Sequence, residues 1–397
     1  IPIRYGRMQT SPFAHFRGAA AVMATDLKER ARSGLEVQLC GDAHLSNFGF
    51  FASPERALVF DVNDFDETLR GPWEFDLKRL ATSFVIAARH GGHRESEARS
   101  AANTAIASYQ SEMERLAGLP EISIWYSRVD EADLMQWGAR QGAETEKRLR
   151  FGAKVAKSRT SQQAAAKLTT IVNGQPRFFA SPTLFRLPDD QAEIAHQGFL
   201  EFREAMSDDR RWLFNRYTYV DVAREVVGVG SVGTRDFVVL LRGRNETDHL
   251  VLQIKQAERS VIELAGGTTD YPNQGQRVVK GQRLIQSSSD IFLSWGRSIL
   301  GDDFYLRQLR DWKFSVAVEA LPVTLLQAYA QFTGRVLAMA HARGGDPVAI
   351  ASYIGKGGAL VDAIGKFAVD YADQNARDYE TLVKAIISGQ IKAQIGV

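Results

Sequence analysis

Apolar positions recur with two different periods along this chain, and the change of period divides it. Near the N-terminus Phe16, Ala19, Ala20, Met23 and Leu27 repeat at helical spacing with charges opposite, which predicts a helix over 12–33 ended by Gly34. Val37–Cys40 and Ala57–Val62 are short apolar runs that predict strands. From about Trp73 to Arg89 the set Phe75, Leu77, Leu80, Phe84 and Val85 predicts another helix. Helical patterns continue over 94–118 and about 132–170. The latter carries Lys147, Arg148, Arg150, Lys154, Lys157, Arg159 and Lys167, a solvated basic face or else a surface for an anionic substrate. Pro176, Pro182 and Pro188 predict an irregular connection over 171–195, with helix returning at about 196–206.

The pattern turns β-like near Arg224. Glu225–Val229, Asp236–Arg242, His249–Gln256, Ile291–Ser294 and Phe304–Leu309 predict five strands, with a helix over Gln274–Ser287 between the third and fourth. A strong helix resumes from Thr324 to Arg343, and the tail is mostly helical. The expected fold is α+β, with a helical part at 1–222, a β-rich module at 223–320 and a helical return at 321–397.

Composition narrows the class without naming a function. The 397 residues are 45% hydrophobic and 24% charged, enough for a large core and two lobes or domains. With 49 basic and 47 acidic residues the formal net charge is +2, which gives no reason to expect bulk binding to nucleic acid or membranes. Cys40 is the single cysteine, so no disulfide framework or cysteine zinc site is expected, and a reducing cytoplasmic location is the default. No run of 18 apolar residues predicts a membrane span. The chain starts at Ile1 without a methionine, which leaves open a missing N-terminus or a removed signal peptide.

The candidate chemistry lies where apolar strands end. Val37–Cys40 runs into Gly41-Asp42-Ala43-His44-Leu45-Ser46-Asn47, and Leu58-Val59-Phe60 delivers Asp61, Asp64 and Asp66. Phosphoryl transfer needs a carboxylate to orient the attacking hydroxyl and oxygen ligands to hold Mg²⁺ against phosphates. Asp42 can supply the first, and Asn47 and Asp64 the second. Turn residues, or an Asp/His metal cluster of a hydrolase, are the competing readings of the same spacing. Gly228-Val229-Gly230-Ser231-Val232-Gly233 is a weak motif alone, but it precedes a strand-like run rather than the helix a dinucleotide loop must open. Strand, glycine loop and strand is the arrangement that folds over ATP phosphates. The next strand ends in Lys255, placed to reach the α- and β-phosphates, or else facing solvent.

These residues resemble the aminoglycoside- and choline-kinase branch of the protein-kinase-like superfamily. Gly41, Asp42, His44 and Asn47 match its catalytic loop H-G-D-x-H-x-x-N, with Cys40 in place of the leading histidine. Asp64-Phe65 resembles its metal-binding D-F, although Asp61 fits the family spacing better. Gly71-Pro72 with Asp76-Leu77 resembles its G-D-P-x-x-D-L segment, where the aspartate anchors the catalytic loop. The glycine loop and Lys255 resemble the family's N-lobe but follow the catalytic loop, which implies circular permutation. The helix that precedes the catalytic loop in the family is resembled by Val336–His341, and the helix at 12–33 is the other candidate for its place. The glutamate that pairs with the lysine in such kinases has no counterpart in 274–287, where Gln276 lies near the expected spot.

The chain also resembles the domain of unknown function 2252 family through Ser11-Pro12-Phe13, Phe16-Arg17-Gly18, the Gly41–Asn47 loop, Asn63–Thr68 and Gly71–Leu80. The kinase resemblance implies a two-lobed, permuted kinase-like fold and an ATP- and Mg²⁺-dependent phosphotransferase acting on a small-molecule hydroxyl. It implies Asp42 as base, His44 as its support or as a structural histidine, and Asn47 with Asp64 or Asp61 at the metal. Gly228, Gly230, Ser231, Gly233 and Lys255 would lie around the phosphates, and Lys255 must then approach Asp64. A nucleotide-binding pseudokinase, an AMP transferase and a metal-dependent hydrolase without ATP are the alternatives.

Overall fold

The computed structural model describes residues 2–226, 233–309, 311–314 and 316–394. Long helices at Glu74–His90, Glu95–Ala117, Val323–Gly344 and Ala359–Ile387 pack on one another and form the larger core, with Leu80, Phe84, Ile106, Met113, Leu337 and Met339 fully or almost fully buried. Their amphipathic period of 3.6 residues places these side chains inward. A six-stranded antiparallel sheet forms the second unit. Its order is Ser294–Arg297, Asp303–Gln308, His249–Gln256, Asp236–Arg242, Thr218–Glu225 and Leu184–Arg186. The helix Asp189–Glu201 covers one face of this sheet through Phe199, packed with Val239, Leu252 and Leu306 in a smaller core. The helix Gln274–Ile285 lies between the sheet and the helical body, against the strands Ser294–Arg297 and Asp303–Gln308 and the helix Val323–Gly344.

The α+β class therefore holds, and several local expectations change. The sheet has a sixth strand, Leu184–Arg186, and the described strand before the glycine loop is Thr218–Glu225; residues 227–229 of the expected Glu225–Val229 strand lie outside the described residues. The expected helix over 12–33 is two helices, Pro12–Gly18 and Ala20–Leu27. Arg4 takes the carbonyl of Gly18 at 2.9 Å and Arg79 that of Phe16 at 3.1 Å, acceptors that a continuing helix would use. The 132–170 region is three helices, Glu131–Gln141, Ala143–Ser158 and Ser161–Leu168, the last capped by Thr160. The supposedly irregular 171–195 region includes most of a hairpin, Thr169–Val172 with Gln175–Phe178, turned by Asn173-Gly174 with φ of 51° and 77°. That dipeptide is a strong hairpin signal. Pro176 is tolerated because this is a two-stranded sheet with open edges.

Two strands frame the site. Glu36–Leu39 pairs antiparallel with Leu69–Pro72, with Leu39 opposite Leu69, so that everything from 40 to 68 leaves and returns at one place. Within it Phe48–Ala52 pairs with Leu58–Val62. The end of the helix Val323–Gly344 meets the same strand: Gly344 lies against Gln38 and Gly345 against Val37. Of the two helices that could precede the loop, it is therefore this one that abuts its incoming strand. No single helix among the described residues is long and apolar enough to cross a membrane.

Candidate active site

One helix face organises the Gly41–Asn47 loop. Asp76, Arg79 and Ser83 lie three and four residues apart on Glu74–His90 and so share a face. Each holds the next part of the loop. Asp76 Oδ2 accepts from Cys40 N at 2.8 Å and Oδ1 from Gly41 N at 3.0 Å. Arg79 Nε pairs with Asp42 Oδ1. Ser83 Oγ accepts from Leu45 N at 3.0 Å. Behind Asp76, His341 Nε2 lies 3.3 Å away, and its Nδ1 is 2.9 Å from Tyr109 Oη. Gly41 needs its lack of a side chain: φ is +86°, and a Cβ would stand 2.1 Å from the carbonyl oxygen of Glu67.

Asp42 is partly open, its side chain 20% exposed. Burial raises its pKa, but the guanidinium of Arg79, then His44 and Arg17, outweigh it and hold the carboxyl below its ordinary value. His44 is 3% exposed, with Nε2 3.7 Å from Asp42 Oδ2. Burial pushes its pKa down to about 3, because Asp42 only partly offsets burial and the arginines. It is a neutral imidazole at neutral pH, and its Nδ1 is buried with no hydrogen-bond partner. Asn47 Nδ2 donates to the Asp42 carbonyl at 2.8 Å, leaving its Oδ1 as the remaining acceptor.

The two aspartates weighed as metal ligands separate. Asp61 is buried, and its oxygens accept from Val62 N and Ser287 N, both at 2.8 Å. Asp64 Oδ1 is buried with no hydrogen-bond partner. Lys255, only 8% exposed rather than at the surface, reaches across from the sheet to place Nζ 3.8 Å from Asp64 Oδ1 and 2.5 Å from Asp66 Oδ2. The required approach of Lys255 to Asp64 is thus present. Burial lowers the lysine's pKa, but Asp64 and then Asp66 raise it well above the ordinary value. Asp64 moves the other way: burial raises it, and Lys255, Arg307 and Lys313 bring it below the usual carboxylate range. Among the described residues no group of three or more His, Cys, Asp or Glu side chains gathers as a metal cluster.

Gly233 is described, with φ of +112°, while Gly228, Gly230 and Ser231 lie outside the described residues. Sequence reasoning passed over Arg79, Tyr305, Arg307 and Arg277. Arg79 had a signal in its spacing from Asp76. Tyr305 and Arg307 alternate on the strand Asp303–Gln308, and Tyr305 stands opposite Lys255 in register, which only the strand pairing reveals. Arg277, 1% exposed, donates to the carbonyls of Thr68 at 2.6 Å, Glu258 at 2.8 Å and Asp66 at 2.9 Å, tying the sheet side to the aspartate loop.

Burial of Glu67 gives this junction an expected pH dependence. Burial raises its pKa from 4.5 to about 7, only partly opposed by the Val261 N–H that donates to Oε2 at 2.6 Å. Between those values the folded protein binds more protons than the unfolded chain, so stability falls as pH rises from about 4.5 to about 7. The substitution Glu67→Gln keeps an acceptor and removes the ionisation. Thermal melting across that window should then show a shallower fall with pH than in the parent protein; equal slopes would disprove the assignment.

Fold and site together define an α+β protein in which a helical body and an antiparallel sheet meet at a carboxylate-rich junction bridged by a buried lysine. The chain belongs to the family described as uncharacterized protein conserved in bacteria (DUF2252), which it matches over residues 1–385. No curated protein and no solved structure matches it.

Proposed function

We propose that the protein is an ATP- and Mg²⁺-dependent phosphotransferase of a permuted kinase-like kind, acting on a small-molecule hydroxyl. The supporting observation is Lys255, drawn from the sheet to 3.8 Å from Asp64, one residue past Asn63, whose N–H donates to the Asn47 carbonyl at 2.8 Å. A buried cation beside a metal-binding carboxylate is what triphosphate binding asks for. The helix Val323–Gly344 abutting the strand before the loop supports the permuted order, since there the family's preceding helix would end.

The residues fit a magnesium ion. Mg²⁺ takes one or two protein oxygens and completes its shell with phosphate and water. Asp64 Oδ1 has no hydrogen-bond partner and Asn47 Oδ1 is the amide's remaining acceptor, whereas Asp61 is committed to backbone. Bound there, the ion would neutralise charge on the transferred group. Asp42, kept ionised by Arg79, orients the acceptor hydroxyl and receives its proton. Strong basicity is not needed, because the transition state of phosphoryl transfer is loose. Lys255 binds the α- and β-phosphates, and neutral His44 keeps the loop in shape.

Mg-ATP at about 100 times its dissociation constant should stabilise the fold by about 2.7 kcal/mol, read as a rise in melting temperature. No rise at millimolar Mg-ATP would sink this proposal and favour the hydrolase. A second reading, transfer of AMP, is favoured by one observation: the helix Gln274–Ile285 carries no acidic residue. Mass spectrometry of the acceptor product distinguishes phosphoryl from adenylyl adducts.

A further inference from the structure

We propose that Asp66 is the positioning residue for Lys255, doing from the aspartate loop what the helix Gln274–Ile285 has no carboxylate to do; this rests on the phosphotransfer reading. Lys255 Nζ is 2.5 Å from Asp66 Oδ2, and Tyr305 Oη donates to Oδ1 at 2.6 Å. Both oxygens are therefore fixed from the sheet side, by residues directly opposite one another on adjacent strands. The other nearby carboxylates are otherwise engaged: Glu225 accepts from Gln253 at 2.8 Å and Asp236 from Thr234 at 3.2 Å. The loop is held in turn by Arg277, which donates to the Asp66 carbonyl at 2.9 Å.

The division of work follows from geometry. An ammonium group has three donors, so Lys255 can keep Asp66 and still bind phosphate oxygens. Asp64, two residues earlier and at the longer distance of 3.8 Å, stays free to take a cation. One short loop then serves both the metal and the lysine. Phosphate clamping is tied to the metal loop, so that helix movement alone does not switch it.

The test uses the full chain and the variants Asp66→Asn and Tyr305→Phe, with circular dichroism confirming the fold. Acylation of Lys255 by an amine-directed reagent at one fixed pH is followed by peptide mass spectrometry, with and without Mg-ATP. Loss of the Asp66 contact frees the ammonium from its carboxylate partner, so labelling of Lys255 should rise several-fold. The KM for Mg-ATP should rise about tenfold or more, the loss of one charge-assisted hydrogen bond, with Tyr305→Phe shifting it less in the same direction. Unchanged labelling in Asp66→Asn, or a KM equal to or below that of the parent, overturns the role of Asp66. If Mg-ATP fails to protect Lys255 in the parent protein, the phosphotransfer reading itself fails, and the positioning role falls with it.

Discussion

Replacing Asp42 by asparagine is expected to lower ATP turnover by on the order of 10²–10⁴-fold, the usual contribution of a positioned acid or base. The Mg-ATP thermal shift should survive, because the role proposed for Asp42 is at the acceptor and those proposed for Lys255 and Asp64 are at the phosphates. The amide retains an oxygen for Arg79, whose guanidinium also lies over the Phe16 ring at 4.4 Å, so the loop should keep its shape. Hydrolysis of ATP by water suffices as the assay while the acceptor is sought. Turnover equal to that of the parent would remove Asp42 from the reaction, whatever the nucleotide affinity.

The second large effect is on stability. Asp76→Ala deletes the acceptor for Cys40 N and Gly41 N and the neighbour of His341, all inside the core. Each buried N–H left without a partner costs about 1–3 kcal/mol, and breaking a buried charged network about 3–5 kcal/mol. For a chain of this length that corresponds to a melting temperature lower by about 5 °C. Amide exchange should quicken first over 40–47, since the loop loses its anchor before the helices lose theirs. A melting temperature within a degree of the parent would show that the loop is held by Ser83 and Tyr329 instead. Tyr329 donates to the carbonyls of Leu45 at 2.9 Å and Phe48 at 2.8 Å.

The two predictions read different layers of one arrangement. Asp76 acts on the shape of the loop and Asp42 on what the loop presents. Because Asp76, Arg79 and Ser83 share a helix face, a twist of that helix would move all three grips together. Activity and stability should thus be coupled for substitutions on this face.

Residues whose conformation depends on near neighbours were legible along the chain. Asp236–Arg242 and His249–Gln256 form the strands their apolar runs predict, and Glu74–His90, Glu95–Ala117 and Val323–Gly344 the helices, because period and capping are local. The Gly41–Asn47 loop and the Asp64 segment were found the same way, as polar residues ending apolar strands. Asn173-Gly174 was equally local and was outweighed by the prolines around it. The break near Gly18 was not local, since Arg4 and Arg79 draw off the carbonyls from elsewhere in the fold.

The partner of Lys255 lies beyond any pattern in the chain. It is Asp66, 189 positions away, rather than Glu225 or Asp236 on strands of the same sheet. Likewise Asp61 and Asp64 look alike as letters, and only burial against Ser287 N commits the first and leaves the second an unpartnered oxygen. Propensity and spacing act over a few residues, so they place each half of the site. Which charge meets which is settled by packing the sheet on the helical body, where desolvation makes an unpaired buried charge costly.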